Sequence, residues 1–469
     1  MNKSSGFVTK AVAAVLLAAG AAVSADAASA SISPEKELEI LEAAKDRVHP
    51  LEPVGDILVN RPDYVVFIPR LPQRAKNRRN PLPDLKPRGD SYNDHFQVIA
   101  DEKTGMYYAF WTQATWEACS DQHIAFSKSA DKGRTWTEPV ILAGSECRAR
   151  PLLRASWQQP MLAKSGRLYC LWNQQTTSAG PHCGQMFGSY SDDQGETWSS
   201  PQQVIFPERM DQDPEDITIP PRWCNWQRPL RLGEGGKFFV GCSRHGKAPY
   251  DAKSCCKIEF WQFENIDENP EVKDIKFTVF AKNRDMLSPS KIVPTPGMKY
   301  FVPEEDPAVE EAGIVKLPDG RLFAMMRSSV GCPVWSQSSD GGRTWSPAKA
   351  LLDKDGGKPY KHPRSPCPLY DWKGPEAGSG YYIGFVHCTF DMTQKRAYQK
   401  RGPLYLIAGR FNPDAEQPIE FAEPKLFAPR PSGNSFYTSY TVMDGKGILW
   451  FNDMKYYLLG REIGPEWFE

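Results

Sequence analysis

The sequence lacks an excess of charge of either sign. Its 469 residues include 57 lysines and arginines against 57 aspartates and glutamates, which gives a formal net charge of zero. Nucleic acids and anionic membrane surfaces attract proteins through a broad basic surface, and this composition does not provide one. We therefore expect no nucleic-acid partner, and an anionic ligand would have to be held by a local cluster of arginines.

Long apolar runs are also absent beyond the first 30 residues. The run AVAAVLLAAGAAV follows two lysines and precedes small residues at 28–30. This order is typical of a secretory signal peptide, and the run is too short to span a bilayer. The sequence predicts a signal peptide over residues 1–30, cleaved after Ala30 or alternatively after Ala25. The mature protein would be secreted or periplasmic, with no membrane span.

The ligand spacings of common zinc sites are missing as well. None of the 11 cysteines and 7 histidines forms a C-x-x-C or H-x-x-x-H pair, and these spacings are typical of zinc sites. In an exported protein the cysteines can form disulfides instead, and their odd number leaves at least one unpaired. The sequence thus predicts no cofactor and no metal ligand, and it leaves a structural calcium open.

Turn formers and aromatic residues are abundant. The chain has 41 prolines, 36 glycines, 14 tryptophans and 18 tyrosines, a composition that favours short strands joined by turns. Residues 34–47 have a helical pattern, and a Pro- and Arg-rich stretch follows. We assign residues 31–92 to an N-terminal helix and an extended lead-in.

From residue 93 onward, the chain repeats a unit of strand, glycine turn and apolar strand. Six turns start such pairs: GMYYAFW, SGRLYCLW, GGKFFVGCSR, PDGRLFAMMR, GYYIGFVH and DGKGILWF. They begin about 60 to 85 residues apart, a period that indicates a propeller or a similar array. Each unit would be a four-stranded sheet that buries its faces against its neighbours.

Three of these units end in the pattern S-x-D-x-G-x-T-W, at 129–136, 191–198 and 338–345. Its aspartate can accept hydrogen bonds from nearby backbone N–H groups, and its glycine can adopt positive φ. The tryptophan can then pack between sheets. We interpret the pattern as a structural turn, not as a source of catalytic acids.

Three such Asp boxes in a six-unit all-β array resemble the sialidase (neuraminidase) superfamily, over roughly residues 90–465. The resemblance implies a six-bladed β-propeller at 93–469, with the helix outside it. It also implies an exported exo-glycosidase that removes a terminal sialic acid or a related acidic sugar from glycans. A tyrosine would be the nucleophile.

Two segments carry the strongest match. EAGIVKLPDGRLFAMMR places Glu311 and Arg327 16 residues apart, and a hairpin of this length returns the chain to the same end of a blade. SFYTSYTVMDGKGILWFND resembles the segment that carries the sialidase nucleophile. It puts Tyr437 at that place, with Tyr440 as the rival. The resemblance makes Glu311 the activator of Tyr437 and Arg327 a ligand of the substrate carboxylate.

Other candidate carboxylate ligands are less well defined. KRAYQKRGPLYLIAGR offers Arg401, with Arg396 and Arg410 as alternatives, and Arg364 opens the same blade. The Arg-Ile-Pro motif of the first blade is absent.

His95 stands where the arginine of that missing motif would be. Arg88 and Arg244 are possible replacements for it. For the acid/base residue we favour Asp121, with Glu117 and Asp94 as alternatives.

Aligning the strand starts predicts a ring of polar side chains around the pore, which suits a ligand pocket better than a core. Its members would be His95, Gln158 or Gln159, Gln227 or Arg228, Glu311, Arg364 and Tyr437. Tryptophans near the same ends could contact sugar rings or pack between blades; they are Trp111, Trp116, Trp172 and Trp226. Two other functions compete with the glycosidase: a polysaccharide lyase for uronic-acid glycans, with His95 as base, and a non-catalytic carbohydrate-binding propeller.

Overall fold

The computed structural model describes residues 32–73, 89–144, 154–176, 182–246, 256–295, 308–389, 400–433 and 436–469. Within these residues the chain forms six antiparallel sheets, and all but the last are built from consecutive strands. The inner strand of the first sheet along the chain contacts the inner strands of the second and the last sheet, and the inner strand of the fourth contacts that of the fifth. The fold is therefore the six-bladed β-propeller that the repeats and the resemblance predicted.

The first three blades contain four strands each, given from the innermost strand outward. Blade 1 contains Tyr92–Asp101, Met106–Ala114, His123–Ser129 and Val140–Gly144. Blade 2 contains Ala155–Leu162, Leu168–Gln174, Gln185–Ser191 and Gln202–Val204. Blade 3 contains Trp223–Cys224, Phe238–Arg244, Lys257–Phe263 and Phe277–Phe280.

The remaining blades follow the same order, with one addition. Blade 4 contains Val309–Lys316, Leu322–Ser328, Val334–Ser338 and Lys349–Ala350. Blade 5 contains Leu369–Asp371, Tyr381–Val386, Leu404–Phe411 and Ile419–Phe421, and Lys425–Ala428 also pairs with its third strand. Blade 6 contains Ser439–Met443, Lys446–Asp453, Tyr457–Glu462 and, as its outer strand, Tyr64–Phe67.

The outer strand of blade 6 lies in the segment that the sequence analysis assigned to the lead-in. Tyr64–Phe67 pairs with Tyr457–Glu462, so the ring is closed by strands from opposite ends of the chain. The predicted start of the propeller at residue 93 therefore left out one strand. This pairing joins residues about 400 positions apart, and no local repeat could reveal it.

The described residues contain one α-helix, Pro34–Ala44, with the Ser33 hydroxyl accepting from the Lys36 N–H as its N-cap. It buries Ile40 and Ala44. The same residues also form short 3₁₀ turns: Val54–Leu58, Glu234–Gly236, Ile266–Glu268, Val272–Asp274, Asn283–Asp285, Pro289–Lys291 and Pro465–Phe468. No helix in the described part of the chain is long and apolar enough to cross a membrane.

The three S-x-D-x-G-x-T-W turns share one hydrogen-bond pattern. In blade 2, Asp193 accepts from the Ser191 hydroxyl and from both the backbone N–H and the hydroxyl of Thr197. The hydrogen bonds from Thr197 lower the pKa of Asp193 to about 2. The glycine of this turn, Gly195, has φ +81°. Equivalent contacts surround Asp131 and Asp340, so these aspartates have the structural role that was predicted.

The tryptophan of each turn packs against the preceding blade. Trp136 lies edge-on to Trp450 of blade 6, with ring centroids 5.6 Å apart. Trp345 stacks on Phe260 of blade 3 at 4.1 Å and 10°. Because aromatic pairs bury large areas, these contacts help to hold neighbouring blades together. The turns thus join blade to blade, at a distance from the ring of inner strands that forms the site.

Candidate active site

Three inner strands carry a β-bulge at the same position. The pairing register shifts between Asp94 and Gln97, between Ser156 and Gln159, and between Glu310 and Ala312. The residues inside these bulges have positive φ: His95 +53°, Trp157 +54° and Glu311 +55°. Such conformations are strained for residues other than glycine, and they concentrate at functional sites. The bulges turn three side chains into one contiguous cluster.

The centre of this cluster is a triangle of Tyr437, Glu311 and Arg327. The Tyr437 hydroxyl donates to Glu311 Oε1 at 2.9 Å. Arg327 Nη1 donates to Glu311 Oε2 at 2.6 Å and to the Tyr437 oxygen at 3.1 Å. Tyr437 precedes the inner strand of blade 6, whereas Glu311 and Arg327 lie on the first two strands of blade 4. All three side chains are at least nine-tenths buried.

Two further arginines lie next to the triangle. Glu310 Oε1 contacts Arg327 Nε at 3.0 Å and Arg364 Nε at 2.7 Å. Arg401 Nη2 donates to the Arg364 carbonyl at 2.8 Å. Although burial opposes ionisation, the two guanidinium groups hold the pKa of Glu310 well below its usual value. Glu310 therefore remains an anion that positions Arg327 and Arg364 side by side.

The phenol of Tyr437 keeps its proton in the site without substrate. Burial, and then the negative charge of Glu311, raise the pKa of Tyr437 well above its usual value, and Arg327 only partly opposes this. The phenol therefore does not ionise by itself near neutral pH. It can become a nucleophile only by transferring its proton to a base as the reaction proceeds, and Glu311 is in hydrogen-bond contact with it.

His95 packs against Tyr437, with ring centroids 4.5 Å apart. Its Nε2 accepts a hydrogen bond from Trp157 Nε1 at 3.1 Å. Since indole N–H can only donate, the neutral His95 ring carries its proton on Nδ1. Nδ1 is buried and has no hydrogen-bond partner among the described residues. Burial lowers the pKa of His95, although Asp94 opposes this.

These contacts argue against two roles for His95. Burial lowers its pKa, which disfavours a charged imidazole in place of the missing arginine. As a lyase base it would need a free lone pair, and the one on Nε2 is used by Trp157. What His95 offers is an Nδ1–H donor beside Tyr437.

A buried ion pair borders the other side of Tyr437. Lys455 Nζ lies 2.8 Å from Asp94 Oδ2 and 3.3 Å from Glu117 Oε1, and 5.3 Å from the centre of the Tyr437 ring. The Asp94 side chain is 0% exposed, whereas that of Glu117 is 65% exposed. Asp94 also accepts from Tyr92 and Asn452. Asp94 is therefore a structural anion, and Glu117 is the carboxylate that solvent can reach.

The favoured acid/base residue, Asp121, has a structural role instead. It is 1% exposed, and its carboxylate accepts from the Thr115 backbone N–H and from the Thr115 hydroxyl. These bonds fix the turn of its own loop. A carboxyl group that exchanges protons with substrate and water must be accessible to both, which favours the exposed Glu117 over the buried Asp121.

Arg244, one suggested replacement for the first arginine, is part of the core of blade 3. Its guanidinium lies 2.6 Å from Glu259 and 3.3 Å from Asp213, and the residue is 0% exposed. Tyr440, the rival nucleophile, donates to the Trp372 carbonyl at 2.9 Å.

Three more arginines were candidates for binding the substrate carboxylate. Arg410 is an exposed residue on the third strand of blade 5. Arg88 and Arg396 lie outside the described residues. Among the described residues, Arg327, Arg364 and Arg401 are thus the candidates that lie together.

The glutamines of the predicted ring connect blades rather than line a pocket. Gln158 donates to the His95 carbonyl, and Gln227 accepts from the Ile314 N–H at 3.3 Å. Gln97, which the prediction omitted, donates to the Trp226 carbonyl and accepts from the Arg228 N–H at 3.1 Å. These bonds satisfy polar groups in the middle of the ring.

Of the tryptophans proposed to contact sugar, Trp111 and Trp172 are fully buried between blades. Trp226 is 2% exposed and lies 6.4 Å from the Tyr437 ring, whereas Trp116 is partly exposed. Trp157, Glu310 and Lys455 border the site and were not foreseen. A bulge shifts the strand register by one residue, which explains why the alignment chose Gln158 instead of Trp157.

Comparison with known proteins gives the fold. No protein-family model matches the sequence, and no curated protein matches it. Among solved structures, a Hadza microbial sialidase is similar at a TM-score of 0.53 and 13% identity, over 81% of this chain and 66% of that one. The intramolecular trans-sialidase from Ruminococcus gnavus is similar at a TM-score of 0.51 and 13% identity, over 81% and 96%.

A protein of unknown function from Dyadobacter fermentans is similar at a TM-score of 0.53 and 13% identity, over 85% of this chain and 95% of that one. This chain spans just under two thirds of the length of the Hadza sialidase. Fold does not determine activity, and at such identities the likeness establishes architecture alone. The chain has the six-bladed propeller fold of the sialidases.

Proposed function

We propose that the protein is an exported exo-glycosidase of the sialidase type. It hydrolyses a terminal sialic acid or a related acidic sugar from glycans and retains the anomeric configuration. The hydrogen bond between the Tyr437 phenol and Glu311, bridged by Arg327, is the observation that carries this proposal. In this view residues 1–30 are a signal peptide, and the propeller with its N-terminal helix is the mature enzyme.

A tyrosine nucleophile suits a sugar whose anomeric carbon bears a carboxylate. That carboxylate would repel an aspartate or glutamate nucleophile, whereas a neutral phenol avoids the repulsion. Arg327, Arg364 and Arg401 lie together and can bind the substrate carboxylate through charge-assisted hydrogen bonds.

In the first step, Glu311 takes the phenolic proton of Tyr437 while the phenol oxygen attacks the anomeric carbon. The developing negative charge on that oxygen lies 3.1 Å from Arg327 Nη1, which stabilises it. The bond to the leaving oxygen breaks, and Glu117 gives a proton to that oxygen. Because Lys455 lowers the pKa of Glu117, the carboxylate must first take up this proton from solvent. The result is a covalent glycosyl–Tyr437 intermediate.

In the second step, Glu117 accepts a proton from water, and the water oxygen attacks the anomeric carbon. The bond to Tyr437 breaks, and the phenol oxygen recovers the proton from Glu311. Two displacements on the same carbon retain its configuration. We assign Glu117 to the acid/base role because it is the exposed carboxylate at Lys455.

The experiment pairs two tyrosine variants that differ only in position. Tyr437→Phe removes the proposed nucleophile, and Tyr440→Phe removes a hydroxyl that bonds the Trp372 carbonyl. We expect wild type and Tyr440→Phe to release the fluorophore from an aryl sialoside or another acidic aryl glycoside, and Tyr437→Phe to be inactive. A panel of uronides and neutral sugars defines the substrate class.

Covalent labelling tests the nucleophile directly. A fluorinated acidic glycosyl fluoride slows the second step, and peptide mapping by mass spectrometry should then find the sugar on Tyr437. Retention of activity in Tyr437→Phe, or a label on another residue, would refute the mechanism. Detection of an unsaturated uronate as the product would show that the enzyme cleaves by elimination and not by hydrolysis.

A further inference from the structure

A second cluster of chemically reactive side chains lies between blades 2 and 3. His182 precedes the third strand of blade 2, Cys224 ends the inner strand of blade 3, and His245 follows the second strand of blade 3. Cys224 Sγ lies 3.3 Å from His245 Nε2, and the rings of His182 and His245 have centroids 4.2 Å apart. One donor atom from each residue lies within 4.8 Å of the others.

We propose that His182, Cys224 and His245 bind a divalent cation of the zinc class. Imidazole nitrogen and thiolate sulfur are the donors that zinc prefers, and three protein ligands leave a fourth position for water or substrate. Zn–S and Zn–N bonds of about 2.3 and 2.0 Å in a tetrahedron place sulfur and nitrogen about 3.5 Å apart. The 3.3 Å separation of Cys224 Sγ and His245 Nε2 is close to this value.

The backbone holds the three ligands in place before any ion binds. The Trp223 N–H donates to the His182 carbonyl at 3.1 Å, and the His245 N–H donates to the Arg222 carbonyl at 2.8 Å. Both histidines are thereby fixed to the segment that carries Cys224. Trp157 stacks on His182 at 4.8 Å and 16°, which orients that ring. Ligands fixed by surrounding contacts favour metal binding because less freedom is lost.

Binding of the ion requires a free lone pair on each imidazole ring and a thiolate at Cys224. Cys224 must lose its proton when it binds an ion, and a bound zinc ion supplies the positive charge that removes it. The ion would connect blades 2 and 3. Its ligand His182 stacks on Trp157, and Trp157 in turn contacts His95.

A neighbouring triad supplies the internal control. His245, Cys256 and Glu310 also place their donor atoms within 4.8 Å of one another. Glu310, however, is already bound by Arg327 and Arg364, and their positive charges disfavour a cation there. We therefore assign the ion to the triad that contains Cys224, and Cys256→Ser becomes the matched variant for Cys224→Ser.

The test uses the purified mature chain, treated with a chelator and titrated with Zn²⁺ and Co²⁺. We expect one zinc per chain by elemental analysis, a rise in the unfolding temperature on adding zinc, and a thiolate-to-cobalt charge-transfer band. Cys224→Ser should remove that band and weaken zinc binding. The weakening should exceed the about 10–100-fold caused by losing a residue that contacts a metal ligand without itself binding the metal. Cys256→Ser should keep both.

The partly buried His182 provides a second variant in case Cys224→Ser does not fold. His182→Ala should weaken zinc binding as strongly and leave the chain folded by circular dichroism. Absence of stoichiometric zinc in the wild type would overturn the proposal and leave an S–H···N hydrogen bond as the explanation of the 3.3 Å contact. Loss of the cobalt band in Cys256→Ser instead of Cys224→Ser would overturn the assignment as well.

Discussion

The ion pair of Asp94 and Lys455 closes the propeller, and replacing Asp94 by asparagine should destabilise the fold strongly. Asp94 lies on the inner strand of blade 1, and Lys455 lies in the last turn of blade 6. Their charged atoms are 2.8 Å apart, and the side chains are 0% and 15% exposed. The Asn93 N–H donates to the Lys455 carbonyl at the same junction. The pair therefore joins the first and last blades in the interior.

The expected magnitude follows from this geometry. At 2.8 Å and an effective dielectric constant of 20, Coulomb attraction is about 6 kcal/mol. Desolvation of both ions offsets part of this, but Asp94→Asn leaves the Lys455 ammonium buried with only the exposed Glu117 as a neighbouring anion. Breaking a buried pair from one side costs about 3–5 kcal/mol of unfolding free energy.

A surface pair between the same two blades serves as the control. Lys132 of blade 1 contacts Asp444 of blade 6, and both side chains are about two-thirds exposed. An exposed pair contributes about 0–1 kcal/mol, and asparagine tolerates the positive φ of residue 444. We expect Asp444→Asn to change the unfolding free energy by less than about 1 kcal/mol.

Urea unfolding at neutral pH measures the change in unfolding free energy of both variants from the midpoint and the slope of the transition. A double-mutant cycle with Lys455→Met then isolates the coupling energy of the buried pair. Equal effects of Asp94→Asn and Asp444→Asn, or a cost below about 1 kcal/mol for Asp94→Asn, would refute the reasoning.

The pH dependence of this difference has a definite sign. Burial opposes ionisation of Asp94, but Lys455 prevails and lowers its pKa in the folded protein. A carboxylate whose pKa is lower in the folded than in the unfolded protein stabilises the folded state. This stabilisation is fully present above the unfolded pKa, about 3.9, and is lost as pH falls through the folded pKa. Asp94 in turn raises the pKa of Lys455 against the effect of burial. The difference between wild type and Asp94→Asn should therefore be constant from about pH 5 to 9 and shrink below about pH 4.

Three further predictions concern catalysis, the turns and His95. Glu117→Gln should reduce kcat about 10²–10⁴-fold for glycans with a poor leaving group, and much less for aryl glycosides, in parallel steady-state assays. Gly342→Ala should destabilise about 1–3 kcal/mol more than Gly320→Ala in urea unfolding. Both glycines have φ +88°, but a Cβ at 342 would lie 2.4 Å from the Phe239 ring, whereas none lies within 4 Å at 320. Because burial lowers the pKa of His95, KM should change less between about pH 6.5 and 8 than the ionisation of an unperturbed imidazole would cause, and a change of that full size would contradict the prediction.

The repeats predicted the fold because each blade is a local structure. Strand, glycine turn and strand follow one another in sequence, so six similar segments suffice to indicate six sheets. The strand Tyr64–Phe67 was missed because its partner, Tyr457–Glu462, is at the other end of the chain. This propeller closes its ring by one such distant pairing, and local patterns contain no signal for it.

The sequence brought Glu311 and Arg327 together because they begin and end one hairpin, where counting residues from the turn gives the facing positions to within one residue. The bulge at Glu311 shifts this register by one, so the residue paired with Arg327 is Glu310. Across bulges the counting fails, because one extra residue moves the next side chain to the other face. Trp157 was missed for this reason. Lys455 was missed because its partner Asp94 belongs to a different blade.

The same bulges explain why the site combines strain with buried charge. His95, Trp157 and Glu311 each have an unfavourable positive φ, which the surrounding contacts must maintain. The Glu311 N–H donates to Ser243 of blade 3 at 2.8 Å, and the Trp157 N–H donates to Thr112 of blade 1 at 3.1 Å. The bulges at Glu311 and Trp157 are thus each held by a hydroxyl on the second strand of the preceding blade. Substitution of Ser243 or Thr112 should therefore shift a site residue, although the substituted side chain lies outside the site. In this way the packing between blades is linked to the geometry around Tyr437.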